Sequence, residues 1–268
     1  MPLTKTEYLP APVAIGHTIK ETEGLVAKEI PDPGQAPGKR KDVQVMFDAI
    51  AHRYDLLNHL LSFGIDRIWR RQAVAMLRSD APRSILDVAT GTGDLAIRAL
   101  SLSPERIVGV DISEKMLERG RQKVAAIGAG EVIEMCTGAS EELPFSDDTF
   151  DAAMVAFGVR NFENLRAGLS EIARVVRAGG PLVVLEFSRP EHFPVKQLYG
   201  LYFRYVVPNV GRTISRHKHA YQYLPDSVGA FPSGEDFLAE MEASGFEDLR
   251  AKKLTFGIAS LYFGRSRD

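Results

Sequence analysis

One cysteine, Cys136, stands in 268 residues. An internal disulfide needs two and a cysteine-built zinc site needs several, so both are excluded. Net charge is −2, from 33 basic and 35 acidic side chains. The chain therefore lacks the basic excess that tracks a phosphate backbone, and no nucleic-acid partner is expected. No apolar run reaches the ~20 residues that cross a bilayer. The first 41 residues hold no apolar segment flanked by basic residues, so no secretory leader is expected. What is present suffices for a core: 45% of residues are apolar and 25% charged, the profile of a globular domain.

Residues 1–41 carry six of the 15 prolines (Pro2, Pro10, Pro12, Pro31, Pro33 and Pro37) and no sustained periodicity. This reads as a disordered extension, and its removal should leave fold and ligand affinity intact. Ordered structure is expected to begin near Asp42. Val43, Met46, Phe47, Ile50 and Tyr54 fall on one helical face, and Ile65, Ile68, Trp69, Ala73, Met76 and Leu77 on a second. Residues 42–80 are either helices packed on a sheet or a lid, because Tyr54, Asp55, Asn58 and His59 crowd four polar groups into one segment.

Strands then alternate with helices. Residues 85–89, 106–110, 131–135, 150–157 and 181–187 read as buried strands, and Asn164–Val176 as a helix between the last two. Residues 246–254 and 258–265 close the chain as a strand pair. The expected fold is α/β, a doubly wound, seven-stranded, mostly parallel sheet with an antiparallel last strand. An insertion, residues 188–234, precedes the final helix. Its run Val195–Val207 reads as a buried helix or as an apolar wall facing a site or membrane, followed by Arg212, Arg216, His217, Lys218 and His219.

The most informative stretch is Ser84–Leu100, SILDVATGTGDLAIRAL: strand, glycine turn, helix, with Asp94 as the expected N-cap. Gly91 and Gly93 permit close approach of backbone to a ligand. Gly91, Gly93 and Ala96 also satisfy a dinucleotide pattern, so a nicotinamide cofactor competes. Three features favour S-adenosylmethionine. Asp87 lies inside the first strand, placed to help the loop bind an ammonium. Asp111 ends the second strand, where a carboxylate can accept from both hydroxyls of a ribose. The chain closes with a strand hairpin.

From about Val45 to Gly264 the sequence closely resembles the UbiE/MenG family of quinone-pathway C-methyltransferases. Tyr54-Asp55-Leu56-Leu57-Asn58, Ser62-Phe63-Gly64-Ile65 and Trp69 look like one family signature, with Leu57 for the usual Met and Asp66 for His. Residues 174–180 with Leu185-Glu186-Phe187-Ser188 look like a second, with Arg177-Ala178 for Lys-Pro. Phe157-Gly158-Val159-Arg160-Asn161 and Tyr221-x-Tyr223-Leu224 are also family-like. The resemblance implies S-adenosylmethionine as cofactor, contacted by Thr92, Asp111 with the adjoining Ile112, Gly138 with Ala139, and Ala156. Gly138 replaces an expected Asn or Asp, and Ala156 a Ser.

It implies as substrate a polyprenylated hydroquinone: demethylmenaquinol first, a ubiquinone-pathway benzoquinol as the alternative. A methyltransferase for a soluble small molecule and a non-catalytic cofactor binder are the competing readings. Ring methylation needs a phenolate, so a cation or base is required. Arg160 is the candidate cation, unless it merely pairs with a local acid such as Glu163. Asn161 would orient the hydroxyl, and Tyr54 and His217 are candidate proton acceptors. No metal is required. The protein is expected in the cytoplasm, with peripheral contact at the inner face of the membrane through the insertion. A homo-oligomer is compatible with the sequence.

Overall fold

The architecture comes from a computed structural model and covers residues 38–55, 62, 64–202, 205 and 218–267. Asn58, His59, His217 and all but the end of the proline-rich stretch lie outside the described residues. Helix α1 (Lys39–Ile50) leads through a 3₁₀ turn (Ala51–Arg53) to α2 (Asp66–Met76). Strand β1 (Ser84–Val88), α3 (Asp94–Ala99), β2 (Arg106–Asp111), α4 (Glu114–Ala126) and β3 (Ile133–Thr137) follow. Next come β4 (Ala152–Ala156), a 3₁₀ turn (Val159–Asn161), α5 (Leu165–Val175) and β5 (Pro181–Phe187). The chain ends with α6 (Val195–Leu201), α7 (Lys218–Ala230), α8 (Glu235–Ala243), β6 (Phe246–Leu254) and β7 (Ala259–Ser266).

The sheet order is β3-β2-β1-β4-β5-β7-β6. The strands β1 to β5 pair in parallel, and β7 runs antiparallel to both β5 and β6. This is the expected seven-stranded sheet. Strands β1, β2, β4, β5 and β7 are buried on both faces, which is why they read as continuous apolar runs, while β3 and β6 at the two edges are largely exposed. Ile85, Ile107, Met154, Val183 and Leu185 pack into one core with Trp69, Leu77 and Ala96. Leu86, Val108, Val155, Val184 and Tyr262 pack into the other with Leu169, Ile172 and Phe237.

Helix starts follow local chemistry. Ser113 Oγ accepts from Met116 N at 3.3 Å, and Asn164 Oδ1 accepts from Ala167 N at 3.0 Å. Asp94 is not the N-cap of α3; Gly93 holds that place, in the left-handed region at φ 78°. The tight turn demands that conformation at 93, so the carboxylate of Asp94 falls in the first turn instead, where the helix dipole still favours it.

Two other expectations shift. Helix α1 begins at Lys39 rather than Asp42, because polar anchors extend it: Lys39 Nζ donates to Phe162 O (2.6 Å), and Gly38 N to Glu163 Oε1 (3.1 Å). Hydrophobic periodicity cannot reveal such anchors. Helix α6 is not a buried helix. None of its residues is buried, and Leu198 and Leu201 are exposed.

Candidate functional site

The chain order reverses between β1 and β4, since β2 and β3 lie to one side and β4 and β5 to the other. A crevice must open at the carboxyl ends of these two strands. There the backbone bends sharply. Ala89, after β1, has φ 53°, and Phe157, after β4, has φ 60°. A Cβ on Gly158 would sit 2.6 Å from that of Ala89, so the two strand tips touch. Beyond them lies a crevice that is partly open to solvent.

Gly91, Asp111, Ile112, Gly138, Asn161 and Tyr54 line this cavity, as do Ala89, Ser140, Phe157 and Phe162. Gly91 (φ 56°) is bare toward the interior: a Cβ there would meet only Tyr54 Cε1, at 3.9 Å. Gly93 differs. Its bare face is filled by Met135, whose Cε would lie 2.3 Å from a Cβ, so this glycine packs the loop onto α4 and β3 instead of facing the cavity. At Gly138 a Cβ would strike Val110 Cγ1 at 2.8 Å. No side chain fits there, which accounts for the lost Asn or Asp, and the residue offers backbone alone.

Asp111 is buried and heavily engaged. Oδ2 accepts from Gly91 N (2.8 Å) and Oδ1 from Ser113 N (2.9 Å). Burial pushes its carboxyl up to about 6 against these hydrogen bonds. The Ile112 N–H also bonds this carboxylate, and of its roughly four lone-pair sites capacity remains for a ligand hydroxyl. Asp87 stands behind the loop rather than on the cavity wall. Its Oδ2 accepts from Thr90 Oγ1 (2.6 Å) and Ala96 N (3.1 Å), while Oδ1 has no protein partner. Burial pushes it up to about 7. Its visible work is bracing the glycine turn.

Thr92, Ala139 and Ala156 do not line the cavity. Thr92 Oγ1 donates to Asp55, and Lys123 Nζ bridges Asp55 (2.9 Å), Thr92 (3.2 Å) and Asp94. Ala139 forms an isolated bridge with Glu142, and Ala156 packs against the core as β4 ends.

The ceiling is α1, which sequence reasoning did not place. Val43 and Phe47 line the cavity. Gln44 Nε2 donates to Ile112 O (2.9 Å), and Ser113 Oγ donates to Asp48 Oδ1 (2.5 Å). On the other side Arg40 pairs with Glu141 and Glu163. The apolar stripe of α1 was a visible signal, but its target was not.

Arg160 does not pair with Glu163. Its Nη1 donates to Glu186 Oε1 (2.7 Å) and Phe157 O (2.6 Å), and its guanidinium lies over Phe187. Both partners of this ion pair are buried. Arg160 Nε is buried with no protein acceptor. Next to it, Asn161 Oδ1 accepts from Tyr223 Oη (2.9 Å), which brings the insertion to the cavity rim. Tyr54 contacts Phe47 edge-on. No group of three potential metal ligands occurs among the described residues.

The fold and the loop–carboxylate pair define a class I methyltransferase architecture. Solved structures bear this out: the [4+2]-cyclase SpnF superposes with a TM-score of 0.61 at 17% identity, covering 87% of this chain and 98% of that one. A Thermotoga maritima S-adenosylmethionine-dependent methyltransferase gives 0.57 at 20%, covering 83% and 98%. These likenesses speak for the fold alone, since one of the two is a cyclase. Sequence is more specific. The profile of the ubiE/COQ5 methyltransferase family matches residues 35–266, and the chain belongs to that family. It is similar to the demethylmenaquinone methyltransferase of Bacteroides fragilis, 48% identical over 84% of this chain and 92% of that protein. The ubiquinone/menaquinone biosynthesis C-methyltransferase UbiE of Geobacter sulfurreducens is 48% identical over 84% and 89%. The chain is thus an S-adenosylmethionine-dependent C-methyltransferase.

Proposed function

We propose that this enzyme methylates a ring carbon of a polyprenylated hydroquinone, with demethylmenaquinol as its substrate. The observation that carries the reading is the 48% identity to a demethylmenaquinone methyltransferase across nine-tenths of that protein's length. The cavity suits the cofactor: a bare glycine backbone at Gly91, a buried carboxylate at Asp111 and apolar walls. Asp111 would hold ribose hydroxyls, Gly91 would allow close backbone approach, and Ile112, Gly138 and Ser140 would flank the base. Bound S-adenosylmethionine supplies an electrophilic methyl group on a sulfonium sulfur.

The chain's own work is to present an electron-rich ring in line with that methyl. A guanidinium supplies charge and hydrogen-bond donors but no base. Glu186 neutralises that of Arg160 in part, and Arg160 does not line the cavity, so it acts less as a bare cation beside the ring than as a brace for the turn that carries Asn161 to the cavity. Asn161, held by Tyr223, would orient the hydroxyl. Tyr54, on the cavity wall, is the proton acceptor candidate within the described residues.

Among the described residues no helix is long and apolar enough to cross a membrane. A substrate with a long apolar tail therefore calls for peripheral contact from the cytoplasmic side, through residues 188–234. The test is methyl transfer to demethylmenaquinol beside a tailless analogue and a demethylated benzoquinol. Transfer to none of them would refute the reading; preference for the benzoquinol would move the enzyme to the ubiquinone branch.

A further inference from the structure

Among the described residues Phe193 and Phe256 are the two most exposed large apolar side chains, both at 81%. They come from distant parts of the sequence, yet their segments are stitched together. Ser188 N donates to Ile258 O (3.0 Å), Ser188 Oγ to Gly257 O (2.8 Å), and Lys253 Nζ to Glu191 Oε2 (2.8 Å). Trp69 Nε1 donates to Thr255 Oγ1 (2.8 Å), fastening the same turn to α2, where Ile68 is also exposed. Leu198, Leu201 and Tyr205 continue the apolar surface from Phe193.

The turn itself is strained. Thr255, Phe256 and Gly257 all have positive φ, at 44°, 57° and 91°. A bulky residue in this region is a true outlier. Glycine at 256 would satisfy the turn without strain, and the phenyl ring gives nothing to the core. A strained aromatic held in solvent points to something outside the fold.

The surroundings say what. Exposed Arg67, Arg71, Lys196, Lys252 and Lys253 lie on the same three segments, with Glu191 as the exposed acid opposing them. The chain as a whole is slightly acidic, so this is a local excess. A second copy docked here by two-fold symmetry would set basic rim against basic rim. An apolar tip on segments that carry an excess of exposed cations matches an anionic bilayer surface.

We propose that the β6–β7 turn is a membrane anchor, inserting Phe256 beside Phe193 and α6 into the headgroup layer of an anionic bilayer. The inference rests on the lipid-soluble substrate proposed above, and it assigns the contact to the end of the sheet as well as to the insertion.

The test compares full-length wild type with Phe256→Gly, using co-sedimentation with vesicles of phosphatidylglycerol and phosphatidylcholine, and of phosphatidylcholine alone. Relief of strain should leave the variant's melting temperature equal or higher, with unchanged cofactor affinity by calorimetry. Its partition onto the anionic vesicles should fall roughly tenfold, the lower end expected for withdrawing a phenyl ring from an apolar phase. Lys252→Glu should weaken binding to the anionic vesicles and leave the neutral ones unaffected. Equal partition of Phe256→Gly and wild type overturns the anchor, as does absence of wild-type binding. A wild-type dimer that Phe256→Gly dissociates, with no lipid dependence, overturns it in favour of self-association. Methyl transfer to demethylmenaquinol in detergent is measured alongside, so that failure of the substrate reading is seen separately from failure of the anchor.

Discussion

The buried pair Arg160–Glu186 should respond asymmetrically to loss of either partner. Glu186→Ala leaves a guanidinium that cannot shed its charge. Removing one partner of a buried pair costs about 3–5 kcal/mol. For a domain of this size each kcal/mol moves the melting temperature by about 2–4 °C, so a fall of roughly 6–20 °C is expected. Arg160→Ala leaves a carboxyl, which can take up a proton. Burial already raises Glu186 above its ordinary range, with Arg160 the largest influence pulling it down. Without Arg160 it must rise further. A carboxyl raised by folding contributes its full stability below the unfolded value of about 4.3, and that contribution is lost as pH climbs toward the folded value. The penalty of Arg160→Ala should therefore grow with pH, by up to ~1.4 kcal/mol per unit, until Glu186 ionises. A pH-independent offset from the lost contact with Phe187 sits beneath it. The penalty of Glu186→Ala should run the other way, shrinking as pH rises through the wild-type titration of Glu186, because only the wild type carries that raised carboxyl. Urea unfolding at pH 5, 6.5 and 8 measures both. Equal, pH-independent penalties for the two variants would refute the reasoning.

Asp111→Asn should weaken cofactor binding by one charge-assisted bond or more, about 1.5–3 kcal/mol each. Asp111→Ala should do more damage still, because it also orphans Gly91 N and Ser113 N. In the wild type, calorimetric affinity should fall as pH drops through about 6, where Asp111 gains a proton and loses an acceptor. An affinity flat from pH 5 to 8 would contradict the ribose assignment. Lys123→Ala should release Asp55 and Asp94 from their shared cation while Thr92 keeps its direct bond to Asp55; these groups are about a third exposed, so a loss of about 0.2–1 kcal/mol of stability is expected, read by urea unfolding. Deletion through Lys41, expected from sequence to be harmless, should instead raise the cofactor dissociation constant. It removes Lys39 and Arg40 from the lid, while unfolding should still show one cooperative transition.

The sheet was legible because its signals are local. Buried parallel strands give continuous apolar runs, and Gly91, Asp111 and the closing strand pair have fixed places in such a fold. Strand ends were less so: β3 is Ile133–Thr137 and β4 Ala152–Ala156, each displaced or trimmed relative to its apolar run. Direction was the part that sequence left open. Asp87 and Asp111 look alike in sequence, yet one braces the loop and the other faces the cavity. Gly91 and Gly93 look alike too, and only Met135, distant in the chain, separates their roles. The partner of Arg160 lies on the neighbouring strand, 26 positions on, so the nearby acid Glu163 was the wrong candidate. Helix α1 began early because of tertiary hydrogen bonds that no periodicity encodes.

Lys39 reaches across from α1 to two carbonyls, those of Arg160 (3.3 Å) and Phe162 (2.6 Å). Burial lowers its ammonium below the usual lysine value, against the pull of Glu141 and Glu163. The same helix grips the far rim through Gln44 and Asp48. A spent donor leaving under α1 would have to unfasten the clasp that steadies the Arg160 turn. Through Lys39, any lifting of α1 is mechanically tied to loosening of the turn that carries Arg160 and Asn161.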